Sequence, residues 1–242
     1  MPIGVLVNSL GIFVGGLLGG SVGKRLSREA KESLTMIFGL CTFLMAVVNM
    51  IALENLPAVV LSLIVGLLVG MGLRFDEKIN QAAANMERWV AKVIPIGNHG
   101  LGSKTYFFQL TTIIVLFCAS GTGIYGSLES GMTGDHGLLI TKTLLDFFTA
   151  MIFSASLGPV VSFIAVPQAI VFLSLFYAGE IILAYTTPAI IADFKAVGGV
   201  LILASALNIL ELKRLPVTNM IPAMAVSLPI SYLWITYLAQ FF

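Results

Sequence analysis

Long apolar runs of about twenty residues, separated by short polar intervals, recur from one end of this chain to the other. A helix of that length crosses a hydrocarbon core of roughly 30 Å, and inside lipid only helices and closed barrels keep every backbone N–H and C=O paired. The ten-residue alternation of a transmembrane barrel is absent. With 58% hydrophobic and 10% charged residues among 242, the composition excludes an ordinary soluble domain. The expected fold class is all-α: a single integral membrane domain over 1–242, a polytopic bundle of about eight spans. These fall near 3–20, 36–53, 57–73, 106–126, 138–157, 161–184, 195–211 and 217–240.

No basic residue precedes the first apolar run, MPIGVLVNSLGIFVGGLLGG, which reads as a retained helix rather than a cleaved signal. Cys41 and Cys118 lie within apolar stretches and read as small buried hydrophobes.

The net charge of +1 says little, but its distribution orients the chain. Lys24, Arg25, Arg28 and Lys31 lie in the first connection, Arg74, Lys78, Arg88, Lys92 and Lys104 in the third, and Lys213 and Arg214 in the seventh. Eleven of the thirteen Lys and Arg then share one side, whereas Glu54, Glu129, Asp135 and Asp193 with Lys195 fall in the opposite connections. The positive-inside rule puts the basic loops in the cytoplasm and both termini outside. In the longest basic segment, Asp76 to Ile94, apolar residues at helical spacing predict an interfacial helix with Trp89 at headgroup depth, broken by Pro95, Gly97 and Gly100. Glycines 11, 15, 16, 19, 20 and 23, and 66, 70 and 72, form small-residue faces for close helix approach, and a homo-oligomer is compatible with them.

A shift of 159 residues lays GLCTFLMAVVNMIALENLP (39–57) over GGVLILASALNILELKRLP (198–216), with Gly39, Asn49 and Pro57 meeting Gly198, Asn208 and Pro216. The shift equates spans one to three with six to eight, an offset of five, so the copies run in opposite senses across the membrane. Glu54-Asn55 in one copy stands where Lys213-Arg214 stands in the other, as opposite orientation requires. The chain therefore divides into a first repeat (1–75), an interfacial helix and loop (76–105), central Gly-rich spans (106–160) and an inverted second repeat (161–242).

Function is sought in the central spans. Ser120, Gly121, Thr122 and Gly123 interrupt span four, and a helix break frees backbone groups that coordinate an ion or carboxylate; a kink satisfied by Ser and Thr is the competing reading. Lys142 and Asp146, four apart, share a helix face, and charges in hydrocarbon face protein or a water-filled cavity. Asn49 and Asn208 are candidate ligands or interhelical clamps, and Asn8 is a polar group of the same kind. Glu180 and Asp146 are candidate proton carriers. His136 beside Asp135 reads as a solvated outer loop. No nucleotide loop, metal-spaced cluster or catalytic Ser-His pattern occurs, so neither an enzyme nor a metal, cofactor or nucleic-acid partner is expected.

The segment GSLESGMTGDHGLLITKTLLDFFTAMIFSASLG (126–158) and the opening VNSLGIFVGGLLGGSVGKRL (7–26) resemble the bacterial membrane proteins of domain-of-unknown-function family 554, the YdfK/YqgA-like group. The resemblance is carried by Gly126, Glu129, Gly131, Thr133, Gly134, Asp135, Lys142 and Asp146 and covers the whole chain. It implies a bacterial inner-membrane location and no established substrate. The expected function is secondary transport of a small polar solute or ion, driven by H⁺ or Na⁺, with the lipid bilayer as the other partner. A channel and a non-transporting structural or regulatory subunit are the alternatives.

Overall fold

The computed structural model describes residues 1–20, 27–51, 53–93 and 103–239, with side chains at 83, 86–93, 103–105, 107–109 and 111–112 outside the description. The described residues form helices and no strand: α1 Ile3–Gly19, α2 Arg28–Met50, α3 Leu56–Gly72, α4 Phe75–Val93, α5 Ser103–Cys118, α6 Gly121–Thr133, α7 Gly137–Leu157, α8 Val160–Phe163, α9 Ala165–Leu183, α10 Pro188–Ile209, α11 Val217–Met220 and α12 Pro222–Leu233. A π-helical turn, Trp234–Leu238, continues α12 beyond Leu233, and Pro229 inside α12 leaves the helix one ladder donor short.

Local chemistry sets the boundaries. Ser27 and Thr187 accept hydrogen bonds from Ala30 N and Ile190 N at the starts of α2 and α10, and Pro57 and Pro188 occupy first-turn positions that need no donor. Gly134 ends α6 with φ 73° and Gly158 ends α7 with φ 80°, backbone that an L side chain adopts only under strain.

Among the described residues, six helical segments are long and apolar enough to cross a membrane: Arg28–Met50, Ile113–Thr133, Gly137–Leu157, Val160–Leu183, Pro188–Ile209 and Val217–Leu238. A seventh arises if Leu56–Gly72 and Phe75–Ala82, bent by 62°, count as one span, and Ile3–Gly19 is a shorter apolar helix. Lipid-facing positions are apolar, with Leu10, Leu44 and Leu68 each at least 60% exposed.

Several span boundaries move. Span four is two helices, and the second runs on to Thr133 rather than ending at 126, which draws Glu129 out of its expected loop into buried α6. Span seven starts at Pro188 rather than 195, so Asp193 and Lys195 also lie within a helix. In both places polar residues have partners across the bundle, which hydropathy cannot register. The interfacial helix appears as α4, but the depth of Trp89, the break at Pro95, Gly97 and Gly100, and Lys24 and Arg25 lie outside the described side chains or residues.

Helix pairing follows the small residues. α1 lies parallel to α7, with Gly4 on Leu139, Gly11 on Thr143, Gly15 on the Phe147 carbonyl and Gly19 on the Met151 carbonyl. α6 and α9 approach through Gly131 on Phe176 and Gly179 on Leu128. α3 crosses α12 antiparallel, Gly66 on Ala223 and Gly70 on Asn219, and α2 crosses α10 antiparallel, Gly39 on Leu210 and Gly199 on Met50. At Gly15 an added side chain would overlap the backbone of α7, whereas nothing lies within 4 Å of one at Gly72. Gly15→Val is therefore expected to destabilise the detergent-solubilised protein by about 1–3 kcal/mol, and Gly72→Ala to change it by no more than about 0.5 kcal/mol, measured by thermal or denaturant unfolding.

Candidate functional site

The fourth and eighth positions after Leu138 fall on one face of α7, and they carry the two charges. Lys142 Nζ donates to both carboxylate oxygens of Asp146 at 2.7 Å, and the residues are 3% and 6% exposed. A lone carboxylate or ammonium at such burial would cost several kcal/mol, and each of the two offsets the charge of the other. The pair is then tied into the bundle by a chain of carboxamides. Asn8 Nδ2 on α1 donates to Asp146 Oδ2 at 2.8 Å, Gln168 Nε2 on α9 donates to Asn8 Oδ1 at 2.7 Å, and Ser9 Oγ donates to Gln168 Oε1 at 2.7 Å. Three helices are thus joined through one line of fully oriented polar groups, with Asn8 and Gln168 both fully buried. The parallel α1–α7 pairing, set by glycine, is what brings Asn8 level with Asp146.

Lys142 and Asp146 line a cavity of about 600 Å³ bounded by α2, α5, α6, α7, α10 and the α10–α11 connection. Hydroxyls from Thr42 on α2, Ser120 and Thr122 at the α5–α6 break, Thr149 on α7 and Ser205 on α10 face it among apolar residues such as Phe38, Val115 and Leu145. It reaches exposed Thr35, Glu211 and Pro216, so it opens on the face that carries the start of α2 and the Lys213–Arg214 connection. A mostly apolar chamber with a few convergent polar groups is the usual form of a small-molecule site.

Of the residues selected from sequence, Ser120, Thr122, Lys142, Asp146 and Asn208 meet at this cavity. Ser120 caps α6 by accepting from Gly123 N at 3.2 Å. Gly121 and Gly123 serve packing instead: a side chain at Gly121 would press on the Leu201 carbonyl and Ser205, and one at Gly123 would overlap the Phe172 ring. Asn208 is chiefly a clamp, its amide donating to Leu215 O at 3.0 Å and its Oδ1 accepting from Leu215 N at 2.7 Å. Asn49 does not line the cavity and bonds to Met45 O of its own helix at 2.8 Å. Glu180 is exposed on α9, apart from the cavity. The expectation that both asparagines line one cavity is corrected for Asn49; isolated polarity in an apolar run marks a need for a partner, not the partner's place.

Four features escape the sequence. Gln168 joins the chain at the Lys142–Asp146 pair, although an isolated amide in an apolar run was a signal of the same kind as Asn8. A second, partly buried ion pair links half-buried Lys195 Nζ of α10 to buried Glu129 Oε1 of α6 at 2.8 Å. Close by, Asp193 accepts from Asn55 N at 2.8 Å and from its Nδ2 at 3.1 Å, fastening the α2–α3 connection to α10. His136 is half-buried rather than solvated, with Nδ1 2.6 Å from Ser130 Oγ, while its neighbour Asp135 is exposed.

Apolar helices with lipid-facing exteriors around a buried ion pair define a polytopic helical membrane protein. The chain belongs to the family described as Protein of unknown function (DUF554), which matches residues 3–232. It is 41% identical over 239 residues to Uncharacterized protein YqgA of Escherichia coli (strain K12), covering 99% of this chain and all of that one. It is 25% identical over 237 residues to Uncharacterized membrane protein YdfK of Bacillus subtilis (strain 168), covering 92% and 93% of the two chains. No solved structure matches.

Removing one member of the Lys142–Asp146 pair strands the other. Lys142→Met is expected to destabilise the purified protein by about 3–5 kcal/mol, and Lys142→Met with Asp146→Asn to recover most of that loss in a double-mutant unfolding cycle.

Proposed function

We propose that this protein is a secondary transporter of a small polar solute in the bacterial inner membrane, with its site at the Lys142–Asp146 pair. The observation that carries the reading is a buried, self-neutralising ion pair on the wall of a cavity reaching one face. A purely structural ion pair needs no chamber beside it. A channel needs a path to both faces, and the cavity's exposed lining residues lie on one.

The architecture behind the reading is eight spans in an inverted repeat, and helix contacts support it. Ser9 and Gln168, hydrogen-bonded where α1 meets α9, are separated by 159, the shift that aligns the repeats. Around that crossing Val5 clusters with Phe172, and Phe13 lies 6.5 Å from Phe163; less 159, these partners are positions 13 and 4, near-mirror contacts. The same reciprocity holds where Gly39 meets Leu210 (position 51) and Gly199 (position 40) meets Met50. It holds again where α3 meets α12, since Gly66 and Gly70 meet positions 64 and 60. Such reciprocal contacts are what a two-fold axis in the membrane plane generates. α1, running parallel to spanning α7, and bent α3 complete the eight.

The pair also limits what moves. A single ion entering alone would leave the Lys142–Asp146 charge balance broken, whereas a neutral or zwitterionic solute would not.

Two outcomes test this. Reporters fused after Arg28, Lys92 and Arg214 should read cytoplasmic, and a periplasmic reading at Arg214 removes the eight-span arrangement. In a thermal-shift screen of small polar solutes, a ligand at 100 times its Kd stabilises by about 2.7 kcal/mol; Lys142→Met with Asp146→Asn, the variant that leaves no stranded charge, should abolish that shift, and an unchanged shift would reduce the pair to a structural role.

A further inference from the structure

The two-fold relation makes a demand that the structure meets on one face only. The open cavity is bounded by the first half of α2, through Thr35, Phe38 and Thr42, and the second half of α10, through Ser205, Asn208 and Ile209. Adding 159 to the first set gives Phe194, Val197 and Leu201, and subtracting it from the second gives Ala46, Asn49 and Met50. All of these but Asn49 lie together as well, and the space is filled. Phe194, Val197, Leu201 and Ala46 belong to one buried cluster, with Met50 packed against it.

The element that fills it is α6. As α7 lies parallel to α1 with Gly19 on the Met151 carbonyl, α6 lies along α9 with Gly179, position 20 in the repeat, on the Leu128 carbonyl. Tyr125 of α6 is fully buried against Gly198 and Phe194 with its hydroxyl beside Glu129, so the ring fills the space and its polar tip lies at the Glu129–Lys195 pair. The filled side is also latched by charge, through Glu129–Lys195 and Asp193–Asn55. The positions equivalent to Lys195 and Asp193 in the first repeat are Met36 and Leu34, which carry no charge, so the latch has no counterpart beside the open cavity.

We infer that Asn49, Met50, Phe194, Val197 and Leu201 form a second chamber for the same small polar solute, opening on the opposite face when the Glu129–Lys195 latch parts and the Phe38–Asn208 side closes. This rests on the transport reading above and gives it its second state. Asn49, absent from the present cavity, takes there the place that Asn208 has here, and the α5–α6 break at Ser120 sits between the two chambers. Repeats of opposite hand exchange their conformations by this route.

The test uses the full chain in right-side-out and everted membrane vesicles, with Cys41 and Cys118 replaced by Ala and one cysteine introduced at a time. Asn208→Cys should react with a membrane-impermeant maleimide from the basic-loop face, and Val197→Cys from neither face. If Asn208→Cys is unreactive from that face, the present cavity and the transport reading fail before this inference is reached. Unlatching by Glu129→Gln with Lys195→Met should raise labelling at Val197→Cys from the opposite face by about tenfold and lower it at Asn208→Cys by a similar factor. Exchanging the charges, Glu129→Lys with Lys195→Glu, should return both rates to their starting values, which a variant that merely unfolds would not do. Labelling at Val197→Cys that does not rise, or rises without a fall at Asn208→Cys, overturns the second chamber.

Discussion

An ionised carboxylate and an ammonium in the hydrocarbon layer are tolerable only together, and the rest of this protein is arranged so that Lys142 and Asp146 stay together. One turn of α7 sets their spacing. The oxygen that Lys142 shares with Asn8 needs α1 at close range, and close range needs a helix face without side chains. Gly4, Gly11, Gly15 and Gly19 provide it. The line then continues through Gln168 to Ser9, so that a charge pair on one helix fixes the mutual depth of three.

In lipid the hydrophobic effect does not draw helices together, because the tails are as apolar as the side chains they would replace. Association depends on close van der Waals contact and on polar groups with no other partner. Both terms act at the same places here. Ser154 on α7 donates to the Gly16 carbonyl of α1 where that glycine face meets α7, and Asp193 receives both donors of Asn55 where α2 and α10 cross. The exposed leucines of α1, α2 and α3 contribute by matching the solvent instead.

The α2–α10 crossing is asymmetric along its length. Around Thr42 and Ser205 it encloses about 600 Å³, and around Ala46 and Val197 it is occupied by Tyr125, Phe194 and their neighbours. The Glu129–Lys195 pair joins α6 to α10 beside the filled part.

By itself the sequence determined the helical class and the pairing of Lys142 with Asp146 on one helix face. Those follow from local quantities: apolar length and residues four apart on one helix. Only the tertiary structure decided that Asn8 and Gln168 hold the pair, that Glu129 and Lys195 meet, that Asn49 is turned to its own backbone, and that Glu180 stays exposed. Glu129 was read as a loop residue and Asp193 as another because a charge in an apolar chain looks like an end. Buried beside an opposite charge or a double donor, the same residue is a connection between helices far apart in sequence, and no local count contains the partner.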